Sequence, residues 1–327
     1  MPHSRRAFPL LAAAVLVVLV VSGCAGRGWT SGSAAEPWPT ARIESLELPV
    51  AGEEAHGLVG VPAAPPTTLV VLAHPWGVGA EVFRTDLEAM AADGILAVAM
   101  EFRGPPDAFK VRAGVEDTVA ATLALQAQHP TVDRTLLYGF SMGGEVALLA
   151  AAAAPPGTYD YVFSGAGVTD LEHLWHSFLY VRPFVERETG GTPAEVPGEY
   201  AARSPVDRVA DLRDRGVQRF FLVHGAGDAP VPVEQAERLY DVMAREGLPV
   251  SYYVVTTNRD PWVCTPVLTV CAGSAPMGVA NHEAGGLRLM RPFIDHRIDR
   301  LPDPAERAVR GTYDGDAGTY EPSDVGR

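Results

Sequence analysis

The run Leu136-Leu137-Tyr138-Gly139-Phe140-Ser141-Met142-Gly143-Gly144 constrains this chain more than any other nine residues in it. An apolar stretch of strand length leads in, and the Ala-rich segment Gly143–Ala154 leads out as a helix. Gly-x-Ser-x-Gly between a buried strand and a helix predicts a sharp turn. Glycines at its flanks remove the Cβ atoms that would collide as the turn tightens. The Ser141 hydroxyl is then lifted above the sheet, at the positive end of the helix, as a candidate nucleophile. The alternative for the same residues is a plain Gly-rich turn with Ser141 as a helix cap.

The same alternation recurs along the chain. Leu69–Ala73, Ile95–Met100, Leu136–Phe140, Tyr159–Ser164, Phe220–Val223 and Val250–Val255 are strand-like, and Leu69–Ala73 is a continuous apolar run suited to burial on both faces. Helical segments intervene at Glu81–Asp93 (stopping at Gly94), Gly114–Gln128, Gly143–Ala154, Val233–Glu246 and Gly286–His296. Ile43–Val50 and Gly57–Val61 open the series as an antiparallel pair. Repeated β-α units predict the α/β class, with a mostly parallel central sheet flanked by helices. With 47% apolar residues, one domain over residues 41–298 has enough side chains for a substantial core. Alternation fails from about 168 to 205, which predicts a small helical cap of one or two helices over the site. The loop from about 257 to 281 is long enough to expect a function for it. Residues 299–327 are polar and rich in Gly and Pro, and are expected to form a loose C-terminal tail.

A serine nucleophile needs a base, and the base needs an acid to orient it. Asp228 lies in the Gly-rich loop directly after Phe220–Val223 and is the candidate acid; Asp207, Asp211, Asp214 and Asp241 read as solvated charges. Only His282 and His296 follow it. His282 sits in a loop entering the last helix and is the candidate base, whereas His296 lies between Asp295 and Arg297 near that helix's end. His74 and His224 end strands and are expected to hydrogen-bond structurally. A tetrahedral oxyanion needs two backbone donors. Met142 N–H is one candidate, and the other comes from His74-Pro75-Trp76-Gly77. Pro75 has no N–H, so the donor there is Trp76 or, failing that, Gly77.

Lys plus Arg number 26 against 40 Asp plus Glu, a net charge of −14. That balance argues against nucleic acid as a partner and against broad adhesion to an anionic membrane. At the N-terminus, Arg5 and Arg6 precede the apolar segment Ala7–Val21, about 22 Å as a helix and too short to cross a bilayer core of about 30 Å. The segment ends in Val21-Ser22-Gly23-Cys24, which resembles the lipobox of bacterial lipoproteins. Residues 1–23 are thus expected to be a signal peptide, Cys24 the lipidated first residue and residues 24–40 a tether. An ordinary signal peptide or short anchor is the alternative. Export to the outer face of the cell membrane, held by the lipid alone, follows as an expectation. Cys264 and Cys271 then remain as an even pair, expected to form a disulfide in an oxidising compartment. A zinc site would need two further ligands, and only His282 is near in sequence.

Taken together, Leu72-Ala73-His74-Pro75-Trp76-Gly77, Glu101-Phe102-Arg103-Gly104, Gly139-Phe140-Ser141-Met142-Gly143-Gly144, Ser204-Pro205, Val223-His224-Gly225-Ala226-Gly227-Asp228 and His282 resemble the α/β-hydrolase superfamily. The nearest members are dienelactone hydrolase and prolyl oligopeptidase-like catalytic domains. The resemblance implies the α/β-hydrolase fold, a triad of Ser141, Asp228 and His282, and oxyanion donors at Trp76 and Met142. The chain departs from the pattern at Pro75, where these families usually have Gly, and in the insertion before His282. It implies no metal or organic cofactor, and a small ester or short peptide as substrate. Ser141 rather than Cys as nucleophile places ester hydrolysis first among expected activities. A peptidase or amidase of the oligopeptidase type comes second, and a non-catalytic envelope binding lipoprotein third. Oligomeric state is not encoded in any motif.

Overall fold

Residues 42 to 61 form a hairpin because Ala51 and Gly52 both adopt positive φ, 51° and 86°, in a two-residue turn. That turn's twist matches the twist of the strands it joins. The structure is a computed structural model that describes residues 40–105, 108–226, 228, 230–257, 307–314 and 319–322. Strands β1 (Arg42–Val50) and β2 (Glu53–Val61) pair antiparallel, and β2 pairs antiparallel with β4 (Leu96–Glu101). From β4 the sheet runs parallel through β3 (Thr68–Ala73), β5 (Arg134–Phe140), β6 (Tyr161–Gly165), β7 (Arg219–Gly225), β8 (Val250–Thr257) and β9 (Ala308–Asp314). An antiparallel β10 (Thr319–Pro322) closes the order β1-β2-β4-β3-β5-β6-β7-β8-β9-β10 among the described residues.

The central strands are apolar throughout because both faces are covered. Leu69, Val71, Leu137, Val162, Phe220 and Leu222 point to one layer, packed under α2 (Val111–Gln128), α3 (Met142–Ala153) and α8 (Glu234–Arg245). Val70, Leu72, Leu136, Tyr138, Phe163 and Phe221 point to the other, with Leu87 and Met90 of α1 (Arg84–Ala92). α1 stops where Gly94 takes a φ of +84° and its N–H reaches back to Ala91.

Between β6 and β7 lie three short helices where one or two were expected: α4 (Leu171–Ser177), α5 (Arg182–Thr189) and α6 (Pro197–Arg203), followed by the single turn α7 (Val209–Leu212). Asp170 caps α4 by accepting the His173 N–H, and Gly190 at φ +87° ends α5.

Within the loose tail expected over residues 299–327, Ala308–Asp314 and Thr319–Pro322 are instead strands of the sheet, so the domain does not end at 298. Ala308–Asp314 pairs with β8 along its length, from Val250↔Ala308 to Val255↔Tyr313. In this strand Val309 and Gly311 are buried while Ala308, Arg310 and Thr312 are half-exposed, so a two-residue period hides in a polar-looking segment. Without it, the backbone of β8 would present unpaired donors and acceptors along an apolar edge. The expected helix Gly286–His296 lies outside the described residues.

Candidate active site

β5 ends at Phe140 and α3 begins at Met142, leaving Ser141 alone at the corner with φ 55° and ψ −122°. A non-glycine residue in that region is strained and persists only where its surroundings enforce it. The Ser141 N–H donates to the Gly165 carbonyl at 2.8 Å, and the Ser141 carbonyl accepts the Gly144 N–H at 2.9 Å. The glycines are required by contact. A Cβ on Gly139 would stand 1.8 Å from the Gly143 carbonyl oxygen, and one on Gly143 would stand 2.0 Å from that of Ala73. Ser141 remains half-exposed at the C-terminal edge of the sheet, while Met142 behind it is buried. The Met142 N–H opens α3 and is among the amides that a helix leaves outside its own ladder.

β3 lies beside β5 in parallel register, Ala73 opposite Gly139, so the two strands deliver their following loops to the same edge. Trp76 is three residues past Ala73. Its half-buried ring stands 4.7 Å from Phe184 of α5, 6.1 Å from Tyr180 and 6.2 Å from Phe109, centroid to centroid. Leu179 and Tyr180 are 64% and 54% exposed, and Val78 on the Trp76 loop is 41% exposed. Large apolar side chains left in water are thus gathered where the cap meets this loop.

Asp228 is buried in the loop after β7. Its Oδ1 accepts the Val231 N–H at 2.9 Å, and His224 Nε2 donates to the Val231 carbonyl at 2.7 Å. Val231 is thereby held from both sides. His224 Nε2 is also 3.5 Å from Asp228 Oδ2, but the imidazole is neutral there: burial pushes its pKa down to about 4. Burial pushes the Asp228 carboxyl up to about 8, partly offset by the Val231 N–H. Such a carboxyl ionises at neutral pH only with a cationic partner beside it. His74 is likewise a structural residue, its Nδ1–H donating to the Pro75 carbonyl at 2.9 Å.

Four of the eight residues singled out from sequence are among those described: Ser141, Met142, Trp76 and Asp228. His282, Cys264, Cys271 and Cys24 lie outside the described residues, as do the alternative base His296 and the signal segment. Glu145, one turn beyond Ser141, escaped notice although the signal was present. A helix apolar on every side is buried on every side, so an acid inside it is buried too. Glu145 has no exposed surface, and neither of its oxygens has a hydrogen-bond partner among the described residues.

A mostly parallel sheet, a strained serine between a central strand and its helix, and a buried Asp after a later strand define an α/β-hydrolase fold. Residues 82–266 match the model of the prolyl oligopeptidase family, more than half of the chain, and the protein belongs to that family. It is 33% identical over 150 residues to the uncharacterized peptidase YtmA of Bacillus subtilis, covering 45% of this chain and 56% of that protein. Among solved structures, the acylaminoacyl peptidase of Pyrococcus horikoshii shares the fold with a TM-score of 0.55 at 18% identity, over 66% of this chain and 37% of that one. A puromycin hydrolase shares it with a TM-score of 0.56 at 23% identity, over 65% and 35%. The chain spans about half the length of the curated relative and little more than a third of these structures. Of the two groups resembled at the sequence level, the prolyl oligopeptidase family is matched by a family model over residues 82–266. Ester hydrolysis therefore yields first place to the peptidase or amidase alternative.

Proposed function

We propose that the protein is a serine peptidase or amidase working through an acyl-enzyme, with an apolar side chain preferred beside the scissile bond. Ser141 attacks the carbonyl carbon, His282 takes the hydroxyl proton and returns it to the leaving amine, and Asp228 holds the imidazole tautomer. Met142 N–H and Trp76 N–H receive the oxyanion. The observation that carries this proposal is the strained corner at Ser141, φ 55° beside glycines that admit no Cβ. Strain of that kind is retained where it exposes a reacting group. Membership of a peptidase family favours an amine over an alcohol as leaving group. The aromatic group around Trp76 supports the apolar preference. The imidazolium formed during turnover would also supply the cation that buried Asp228 needs in order to ionise.

The test compares aminoacyl anilides with short p-nitrophenyl esters on purified protein, alongside Ser141→Ala. Anilide hydrolysis with a competitive kcat/KM, abolished in Ser141→Ala with an unchanged Tm, is the expected result. Ester cleavage without anilide cleavage returns the activity to the esterase class. Loss of neither activity in Ser141→Ala removes the nucleophile from the scheme. Export with lipid on Cys24, and a Cys264–Cys271 disulfide, belong to the same proposal. Mass spectrometry of the mature protein should find a lipid-modified N-terminal Cys24 and no free thiol; an unmodified chain with free cysteines refutes both.

A further inference from the structure

The loop from His74 to Ala80, which carries Trp76, is fastened at both ends to one short stretch of chain, Glu101-Phe102. At its start, His74 Nε2 accepts the Phe102 N–H at 3.4 Å and the imidazole stacks on the Phe102 ring at 4.0 Å. At its end, the Ala80 N–H donates to Glu101 Oε2 at 2.8 Å. Contact is close there: a Cβ on Gly79 would lie 1.9 Å from that same carboxylate oxygen. β3 and β4 run parallel with Leu72 opposite Ala99, so Glu101, the last residue of β4, arrives beside the first residue of the loop.

Lys110 completes the set. Its side chain is 5% exposed, its Nζ donates to the Phe102 carbonyl at 3.0 Å, and it stands 3.8 Å from the other oxygen of Glu101. Its backbone N–H meets the Met142 sulfur at 3.4 Å. A connected series of contacts therefore runs from Met142, which offers one oxyanion donor, through Lys110 and Glu101 to the loop offering the other. Glu101 is 46% exposed at its side chain, yet one oxygen is committed to the Ala80 amide and the other faces a buried ammonium. A carboxylate bound to a backbone N–H and a cation fixes the backbone more firmly than a neutral acceptor does.

We propose that Glu101 is a positioning residue of the oxyanion hole: its carboxylate, backed by Lys110, clamps the 74–80 loop so that the Trp76 N–H faces the carbonyl carried by Ser141. This rests on the function proposed above, because the clamp matters to rate only if Trp76 is a donor. Oxyanion donors act through preorganisation, and a loop that wanders by about 1 Å loses much of their effect.

The experiment uses the full chain and a fluorophosphonate, whose phosphoryl oxygen occupies the oxyanion position once Ser141 is modified. Wild type, Glu101→Ala and Glu101→Gln are compared for the maximal labelling rate, the concentration giving half that rate, and Tm. Glu101→Ala is expected to lower the maximal rate about 10- to 100-fold while changing the half-saturating concentration less than about threefold. Glu101→Gln keeps an acceptor for the Ala80 N–H but loses the charge that faces Lys110, and is expected to recover part of that loss. Both should melt within a few degrees of wild type. Labelling of Glu101→Ala at the wild-type rate overturns the clamp. So does a Gln variant that falls as far as Ala with both melting lower, since that pattern marks a structural role only. A wild type that labels no faster than Ser141→Ala fails earlier, at the nucleophile, and takes the clamp with it.

Discussion

Glu145 sits one helical turn beyond Ser141, fully buried. Burial raises its pKa well above the ordinary carboxylate value, Glu188 nearby adds to the shift, and Arg203 opposes it. The folded protein therefore keeps this proton at pH values where the unfolded chain has released it. Between the ordinary glutamate range and its raised value in the fold, each unit of pH then favours the unfolded state, so the group costs stability as pH rises through that window. Buried Asp228, pushed up to about 8, adds a slope of the same sign until a cation faces it. Glu145→Gln removes the titration while keeping the shape. It should leave Tm at pH 4 nearly unchanged and raise it at pH 8, by about 2–4 °C for each kcal/mol recovered in a domain of this size. Parallel Tm-against-pH curves for the two proteins would mean that Glu145 finds a partner or water after all.

At the scale of elements, the cap and the Trp76 loop meet through aromatic rings. Phe184 of α5 is 4.7 Å from Trp76 and helps to bury it, while Tyr180 just before α5 is left more than half exposed. Phe184→Ala should loosen that contact and remove apolar surface from the group around Trp76. We expect kcat/KM to fall about tenfold for anilides of large apolar residues such as Phe or Leu, and less than threefold for Ala, an effect of the size expected for lost apolar contact. An equal loss across the series would assign the ring to packing alone. The elbow was legible in the sequence because its requirement is steric and written in one short motif: a Cβ at 139 would strike the Gly143 carbonyl, and one at 143 would strike that of Ala73. The cap was legible only as a break in alternation. Its helices are short, and what fixes them is distant, as in Arg203 of α6 binding Glu188 of α5 or Ser204 Oγ accepting the Leu171 N–H. The 101–110 clamp was invisible for the same reason, since Glu101 and Lys110 matter through the loop at 74–80.

Across the whole molecule, the parallel middle of the sheet was readable because burial on both faces makes β3, β4, β5 and β7 nearly continuous apolar runs. The far edge was not, because a strand with one partly wet face needs few apolar residues, and β9 has Val309 as its one buried large aliphatic among the residues described. Its contribution is to the backbone: β8 reads Val250-Ser251-Tyr252-Tyr253-Val254-Val255, an uncharged β-prone run that would otherwise be an exposed edge. Ending the chain at residue 306 removes β9 and β10 together and should shift the protein from its wild-type elution volume into aggregates on size-exclusion chromatography, with a lower Tm in whatever stays soluble. Ending it at residue 317 removes only β10, which pairs with β9 alone, and should cost far less. A 306-residue chain that elutes without aggregates and keeps the wild-type Tm would show that β8 needs no neighbour and that the sheet ends before β9.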